Sequence, residues 1–435
     1  MTNVTFISGL KEIGGTFVRV ETDGAVCLFD FGFAVAARID PAVRLRAESL
    51  AADYARLGML PREPGIYEPA AAAALGVAPY AGAGKPVFFF ISHMHIDHMG
   101  GLDMLDPGVP VYMSAESLTL YRRLVAQGDI TMRGHDRCIG VPYGGQFTVE
   151  DITVEVLPID HDCIGAAGCR IRTPAGTLVY TGDYRFHGFH PERTRAFAEA
   201  CRGADLLITE GVTVSNGDVD MLSLSEPTEP DRTEYTLLEE FAALAREEPG
   251  LLVVNYYERN VERVWRHIDN VAAAGRTLVL DARLADYVAA FYPQARLHVY
   301  GPTIHGRPLR PEWQVVNRSA LLADPTGYVL QLDYADSYEL LDLVPCVSRY
   351  LHADGAPLGA YDASYAKLLE LLKAIGVPYD YRSLGGHASP YYLRWMADTI
   401  APRILVPLHS FRPEQVASAR AGCRILPQAG QTITL

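Results

Sequence analysis

Lysine is scarce in this chain: Lys11, Lys85, Lys367 and Lys373 are the only lysines among 38 basic residues. The arginines that take their place suit bidentate contacts to phosphate, but a GC-rich coding bias that raises Arg and Ala together is the favoured account of them. Acidic side chains number 52 and the net charge is −14, so there is no whole-protein positive field to attract nucleic acid and any polyanion site must be local. The seven cysteines are odd in number, scattered and free of any C-x-x-C pair. That argues against a zinc–thiolate cluster and fits a reducing compartment. No apolar run approaches the ~20 residues that span a bilayer, and Met1–Thr5 lacks a basic patch followed by an apolar stretch. The expectation is a cytoplasmic protein with no membrane partner. Low-complexity tracts and internal repeats are missing as well, and 49% hydrophobic with 21% charged residues describe a folded chain. Its 435 residues allow two or three domains.

Short strands are predicted over 4–8, 16–21 and 25–31, separated by Gly14-Gly15 and Asp23-Gly24. An Ala-, Leu- and Arg-rich excursion with helical stretches follows from 39 to about 81. The apolar run Pro86–Ile91 reads as a buried strand. Further strands are predicted at 109–113, 152–157 and 177–181, with a helix over 115–127. From Arg232 the texture becomes regular, with helices at 232–247, 260–274 and 282–292 alternating with strands at 251–256, 277–281 and 297–300. Such units predict a parallel sheet layered with helices. A last buried strand is expected at 404–408 and a short one at 431–435.

The sharpest feature is Ser92-His93-Met94-His95-Ile96-Asp97-His98-Met99-Gly100-Gly101, which places three imidazoles and a carboxylate directly after a buried strand. Imidazole and carboxylate are the usual ligands of catalytic zinc and similar divalent ions. His93 and His95 can point one way from an extended turn while Asp97 and His98 face a second position, so two metals are natural. Completing two coordination spheres requires His or Asp at other strand ends. His161, Asp183 after Gly182, and His409 each follow an apolar run, and glycine permits the tight turn that presents Asp183.

In order and type these residues resemble the metallo-β-lactamase superfamily, whose strand-end ligands run His-x-His-x-Asp-His, His, Gly-Asp and a terminal His. The resemblance implies an αββα sandwich. It assigns His93, His95 and His161 to one ion, Asp97, His98 and His409 to the other, and Asp183 to both, the ions being zinc or manganese. Asp30 matches an early aspartate of the family that supports a ligand rather than binding metal.

Between Asp183 and His409 lie 225 positions, and this insertion resembles the β-CASP domain of nucleic-acid-processing members such as ribonuclease J. Leu206-Leu207-Ile208-Thr209-Glu210, Leu384-Gly385-Gly386-His387-Ala388-Ser389, Pro407-Leu408-His409 and the opening Gly9-Leu10-Lys11-Glu12-Ile13-Gly14-Gly15 carry the match. Two departures stand out: Glu210 in place of an Asp-Ser form, and a chain that ends soon after His409. The expected division is 1–214 and 381–435 for the metallo-β-lactamase domain and 215–380 for the inserted α/β domain. The resemblance implies a metal-dependent ribonuclease, exonucleolytic, endonucleolytic or both, with RNA bound between the domains. Asp97, Glu210 and His387 would be its catalytic side chains. Glu210 can hold His387 protonated for the leaving oxygen, and Gly386 and Ser389 can seat a phosphate. Asn260-Val261-Glu262-Arg263 reads either as a helix cap with a surface arginine or as a phosphate contact. The remaining histidines, His305 among them, receive no role. The rivals are a small-molecule metallo-hydrolase and a non-catalytic RNA-binding member. Oligomeric state, including a homo-oligomer, is left open.

Overall fold

Alternation along Asn3–Ser8, where Val4 and Phe6 are buried and Thr5 is half-buried, marks a strand with one face on a core. The computed structural model describes residues 1–33, 46–129, 134–227, 232–301 and 307–435. The expected excursion therefore begins outside the described residues, and His305 lies outside them too. The chain divides into two units, Met1–Pro230 with Gly386–Leu435, and Asp231–Gly385.

The first unit holds two sheets of seven strands each. One runs in the order Gln431–Thr434, Asn3–Ser8, Phe17–Glu21, Val26–Phe29, Val87–Phe90, Val111–Ser114, Cys138–Val141. The other runs Cys423–Arg424, Ile404–Pro407, Leu206–Thr209, Gly176–Tyr180, Ala167–Thr173, Ile152–Pro158, Gln146–Val149. Their inner faces share one core: Val4, Phe6, Val18, Val20, Phe29 and Phe90 from the first meet Val154, Val156, Ile171, Tyr180, Ile208 and Val406 from the second. Phe29 stacks on Tyr180 across it, ring centroids 5.2 Å apart. The outer face of the second sheet is covered by Pro191–Ala200 and Pro390–Ile400, whose Phe197, Leu393 and Met396 pack on Val179, Leu207 and Leu405. The result is a sandwich of two sheets flanked by helices, the metallo-β-lactamase architecture.

Strand direction determines where chemistry can gather. Val26–Phe29 is parallel to Val87–Phe90, and Gly176–Tyr180, Leu206–Thr209 and Ile404–Pro407 are mutually parallel. Ile152–Pro158 runs the same way as these three, because two antiparallel pairings through Ala167–Thr173 restore the direction. Their carboxyl ends therefore release Asp30, His93, His161, Asp183, Glu210 and His409. Cys138–Val141, Gln146–Val149 and Ala167–Thr173 are strands that the sequence reading did not find. The first two are only four residues long and mostly half-buried or exposed, too short for a run or an alternation to stand out.

The second unit is one parallel sheet in the order Gln314–Asn317, His298–Gly301, Thr277–Leu280, Tyr328–Gln331, Leu251–Tyr256, Val347–Ala353, Tyr379–Tyr381. Leu251–Tyr256 is buried at every position, as a central parallel strand requires. Asn260 does cap the following helix, accepting from the Arg263 amide at 3.3 Å. Arg263 itself is not a surface side chain. It is 1% exposed and fully engaged, with Nε 2.9 Å and Nη2 2.8 Å from the two oxygens of the buried Glu234 and Nη1 2.9 Å from Ser383 Oγ. This occupancy leaves it no role as a phosphate contact. Arg263→Ala strands the Glu234 carboxylate in the interior, and a loss of about 3–5 kcal/mol is expected. Urea denaturation measures it, and Arg263→Met with Glu234→Leu should recover part of that loss.

Candidate metal centre

Asp30 organises the site from below. Its carboxylate, fully buried, accepts the Ser92 amide at 2.7 Å and the Ser92 hydroxyl at 2.9 Å. It also accepts the Tyr180 hydroxyl and His98 Nδ1–H at 2.7 Å. Four donors on one residue over-determine a backbone held at φ +53°, where a side chain costs of order 1–3 kcal/mol. Ser92 Oγ in turn takes His93 Nδ1–H at 2.9 Å, and the Gly386 carbonyl takes His161 Nδ1–H at 2.7 Å. With Nδ1–H committed in all three rings, Nε2 is the atom left to bind a cation. His409, also at positive φ, has Nδ1 3.1 Å from Thr16 Oγ1 and 3.2 Å from the Gly14 amide.

Asp183 is where these rings meet. Its Oδ2 lies 3.2 Å from His98 Nε2, 3.3 Å from His409 Nε2 and 3.9 Å from His93 Nε2. Gly182 makes the approach possible: it holds φ +58°, and a Cβ there would stand 2.7 Å from Ser92 Cβ. Asp97 Oδ2 is 3.7 Å from both His98 Nε2 and His409 Nε2. His93, His95 and His161 bring ligand atoms within 4.8 Å of one another, as do Asp97, His98 and His409, and Asp183, Glu210 and His387.

The donor set fits divalent cations. Buried Nε2 atoms of His93, His98 and His409 make no hydrogen bond among the described residues, although polar atoms shut away from water normally find one. Burial, reinforced by His98, His95 and His161, holds His93 neutral, the form that binds metal. Burial opposes a charged His98, but Asp183, Asp97 and Asp30 outweigh it and raise its pKa well above the ordinary range. Such crowding of carboxylates around one imidazole is a negative excess that a cation relieves.

Glu210, 1% exposed, ends the strand Leu206–Thr209 and accepts the Tyr184 amide at 3.0 Å and the Val212 amide at 3.2 Å. Its Oε2 is 3.0 Å from His387 Nδ1, which also lies 3.8 Å from Asp183 Oδ2. Burial acts downward on His387, yet the Glu210 charge and hydrogen bond, with Asp183 and Asp162, push it up to about 10. Ser389 precedes the helix Pro390–Ile400 and its Oγ makes no hydrogen bond among the described residues. Sequence reasoning missed Ser92 and Tyr180, which ends an apolar strand and reads as core. It also missed Asp162, the neighbour of His161. Hydrogen-bond partners reveal the first two, and closeness to the His95 and His161 rings reveals Asp162.

A family model described as the beta-lactamase superfamily domain matches residues 64–235. Ribonuclease J of Pyrococcus abyssi is 24% identical over 426 residues, covering 94% of this chain and 90% of that protein. Ribonuclease J of Thermus thermophilus is 22% identical over 350 residues, 73% of this chain and 57% of its own length. A crystal structure of a protein of unknown function from Enterococcus faecalis V583 superposes with a TM-score of 0.83 at 30% identity, each chain covered to 100%. With this architecture and these relatives, the chain belongs to the metallo-β-lactamase superfamily, in its ribonuclease J-like β-CASP branch, a family of hydrolytic enzymes that rely on divalent metal ions.

Proposed function

We propose that the protein is a metal-dependent ribonuclease that hydrolyses RNA phosphodiester bonds, from an end, internally or both. The observation that carries the reading is the convergence of the His93, His98 and His409 Nε2 atoms on Asp183 Oδ2. His93, His95 and His161 would hold one ion, Asp97, His98 and His409 the other, with Asp183 shared. Two zinc or manganese ions bound there would make a water nucleophilic at neutral pH and offset the charge that develops on the phosphate.

The chain's own residues supply the rest. Asp30 and Ser92 hold the rings of His98 and His93 with Nε2 forward. Glu210 takes the Nδ1–H of His387 and favours the imidazolium, so the proton on Nε2 is the one available to the leaving oxygen. The Gly386 amide and Ser389 Oγ, at the start of Pro390–Ile400, are proposed to seat a phosphate oxygen. The absence of a disulfide among the described residues supports a reducing, cytoplasmic setting, and no helix among them is long and apolar enough to cross a membrane.

An aromatic group on the same unit packs at the edge of its core, with Phe186 buried and Tyr392 and Trp395 half-buried. Phe186, three residues past Asp183, stacks on Tyr392 with centroids 4.4 Å apart and meets Trp395 edge-on at 5.3 Å. The exposed Arg195 guanidinium lies 5.2–5.6 Å over all three rings. The test is digestion of one RNA with distinguishable labels at its two ends, in Zn²⁺ and in Mn²⁺. Cleavage of RNA with the first product revealing direction is expected. Turnover confined to a lactone or thioester would reject the ribonuclease reading.

A further inference from the structure

Asp162 lies on the side of the centre facing His95 and His161. Its Oδ1 is 3.3 Å from His161 Nε2 and 3.4 Å from His95 Nε2, and its side chain is 13% exposed. That oxygen receives no hydrogen bond among the described residues. Burial works against its charge, but His161, His95, Arg185 and His387 outweigh burial and hold the carboxyl well below the usual carboxylate range, so the oxygen stands as a carboxylate acceptor without a donor. His161 gives its Nδ1–H to the Gly386 carbonyl at 2.7 Å, so a neutral ring presents a lone pair, not a proton, at Nε2. Two lone-pair atoms then face each other at contact distance, an arrangement that a cation between them makes favourable. The backbone is shaped to keep Asp162 there: a Cβ on Gly386 would stand 2.4 Å from Asp162 Oδ1 and 2.6 Å from His161 Cε1.

We propose that Asp162 is a further ligand of the ion held by His93, His95 and His161, and that its oxygen biases this position toward Mn²⁺. The inference rests on the two-metal reading above. Zinc is satisfied by about four donors rich in nitrogen or sulfur. Added carboxylate oxygen and a higher donor count suit manganese.

The test uses the full chain stripped with a chelator and titrated calorimetrically with Mn²⁺ alone and with Zn²⁺ alone, bound metal being counted by mass spectrometry. Asp162→Asn, nearly isosteric, is expected to weaken Mn²⁺ binding by about tenfold or more and Zn²⁺ binding less, while Asp162→Glu retains most Mn²⁺ affinity. Unchanged Mn²⁺ affinity in D162N, alongside its loss in His93→Ala, overturns this inference and leaves the metal centre standing. A wild-type chain that binds neither ion overturns both. Should D162N fail to fold, Asp162→Ser compared with Asp162→Glu serves instead, equal Mn²⁺ affinity in the two overturning the proposal.

Discussion

Asp183→Asn is expected to reduce RNA hydrolysis by on the order of 10³-fold or more and to lower the number of tightly bound metal ions per chain. The substitution keeps the shape of the side chain and removes one charge from the point where His93, His98 and His409 converge within 3.2–3.9 Å. An amide oxygen is a weaker metal ligand than a carboxylate, so both proposed positions lose affinity together. Asp30→Asn makes the informative contrast. Asp30 touches His98 and, through Ser92, His93, but it faces no proposed metal position. Its replacement is therefore expected to cost about 10–100-fold in metal affinity, and added metal should recover much of the activity. Single-turnover rates with metal counting on each variant give the comparison. An Asp183→Asn protein as active as the wild type rejects the proposed centre.

The proposed ligands were legible in the sequence because each follows a buried strand whose apolar run is itself readable, as Val87–Phe90 leads into the motif from His93 to His98 and Gly176–Tyr180 delivers Asp183. Local order along the chain reports strand ends well. It does not report which groups from distant segments meet. Arg263 reads as the outer face of a helix, yet it is buried by Glu234, 29 positions upstream. Tyr180 reads as an aromatic core residue, and its hydroxyl finds Asp30, 150 positions away. The strands Cys138–Val141 and Gln146–Val149 pair at sheet edges, where half-exposed side chains blur the pattern. Asp162 was hidden for a different reason: a His-Asp pair after a strand is ordinary turn chemistry until the direction of each ring nitrogen is known.

Removing the imidazole tests the other half of the mechanism. His387→Ala is expected to slow RNA cleavage by about 10²–10⁴-fold. A nitrophenyl phosphodiester, whose leaving group departs without a proton, should be slowed far less. The pH profile then identifies the acid. Burial lowers the proton affinity of His387, but Glu210, Asp183 and Asp162 together lift its pKa to about 10, and cations neutralising Asp183 would draw it down from there. A general acid works in its protonated form, so the rate falls as pH rises through this pKa. Glu210→Gln deletes the largest upward contribution, and the basic limb is expected to move to lower pH by about one unit or more, each unit corresponding to about 1.4 kcal/mol of lost interaction with the imidazolium. In His387→Ala that limb disappears. A basic limb that stays in place in both variants would mean the proton comes from elsewhere, and His387 would then be left with a role in holding phosphate rather than in proton transfer.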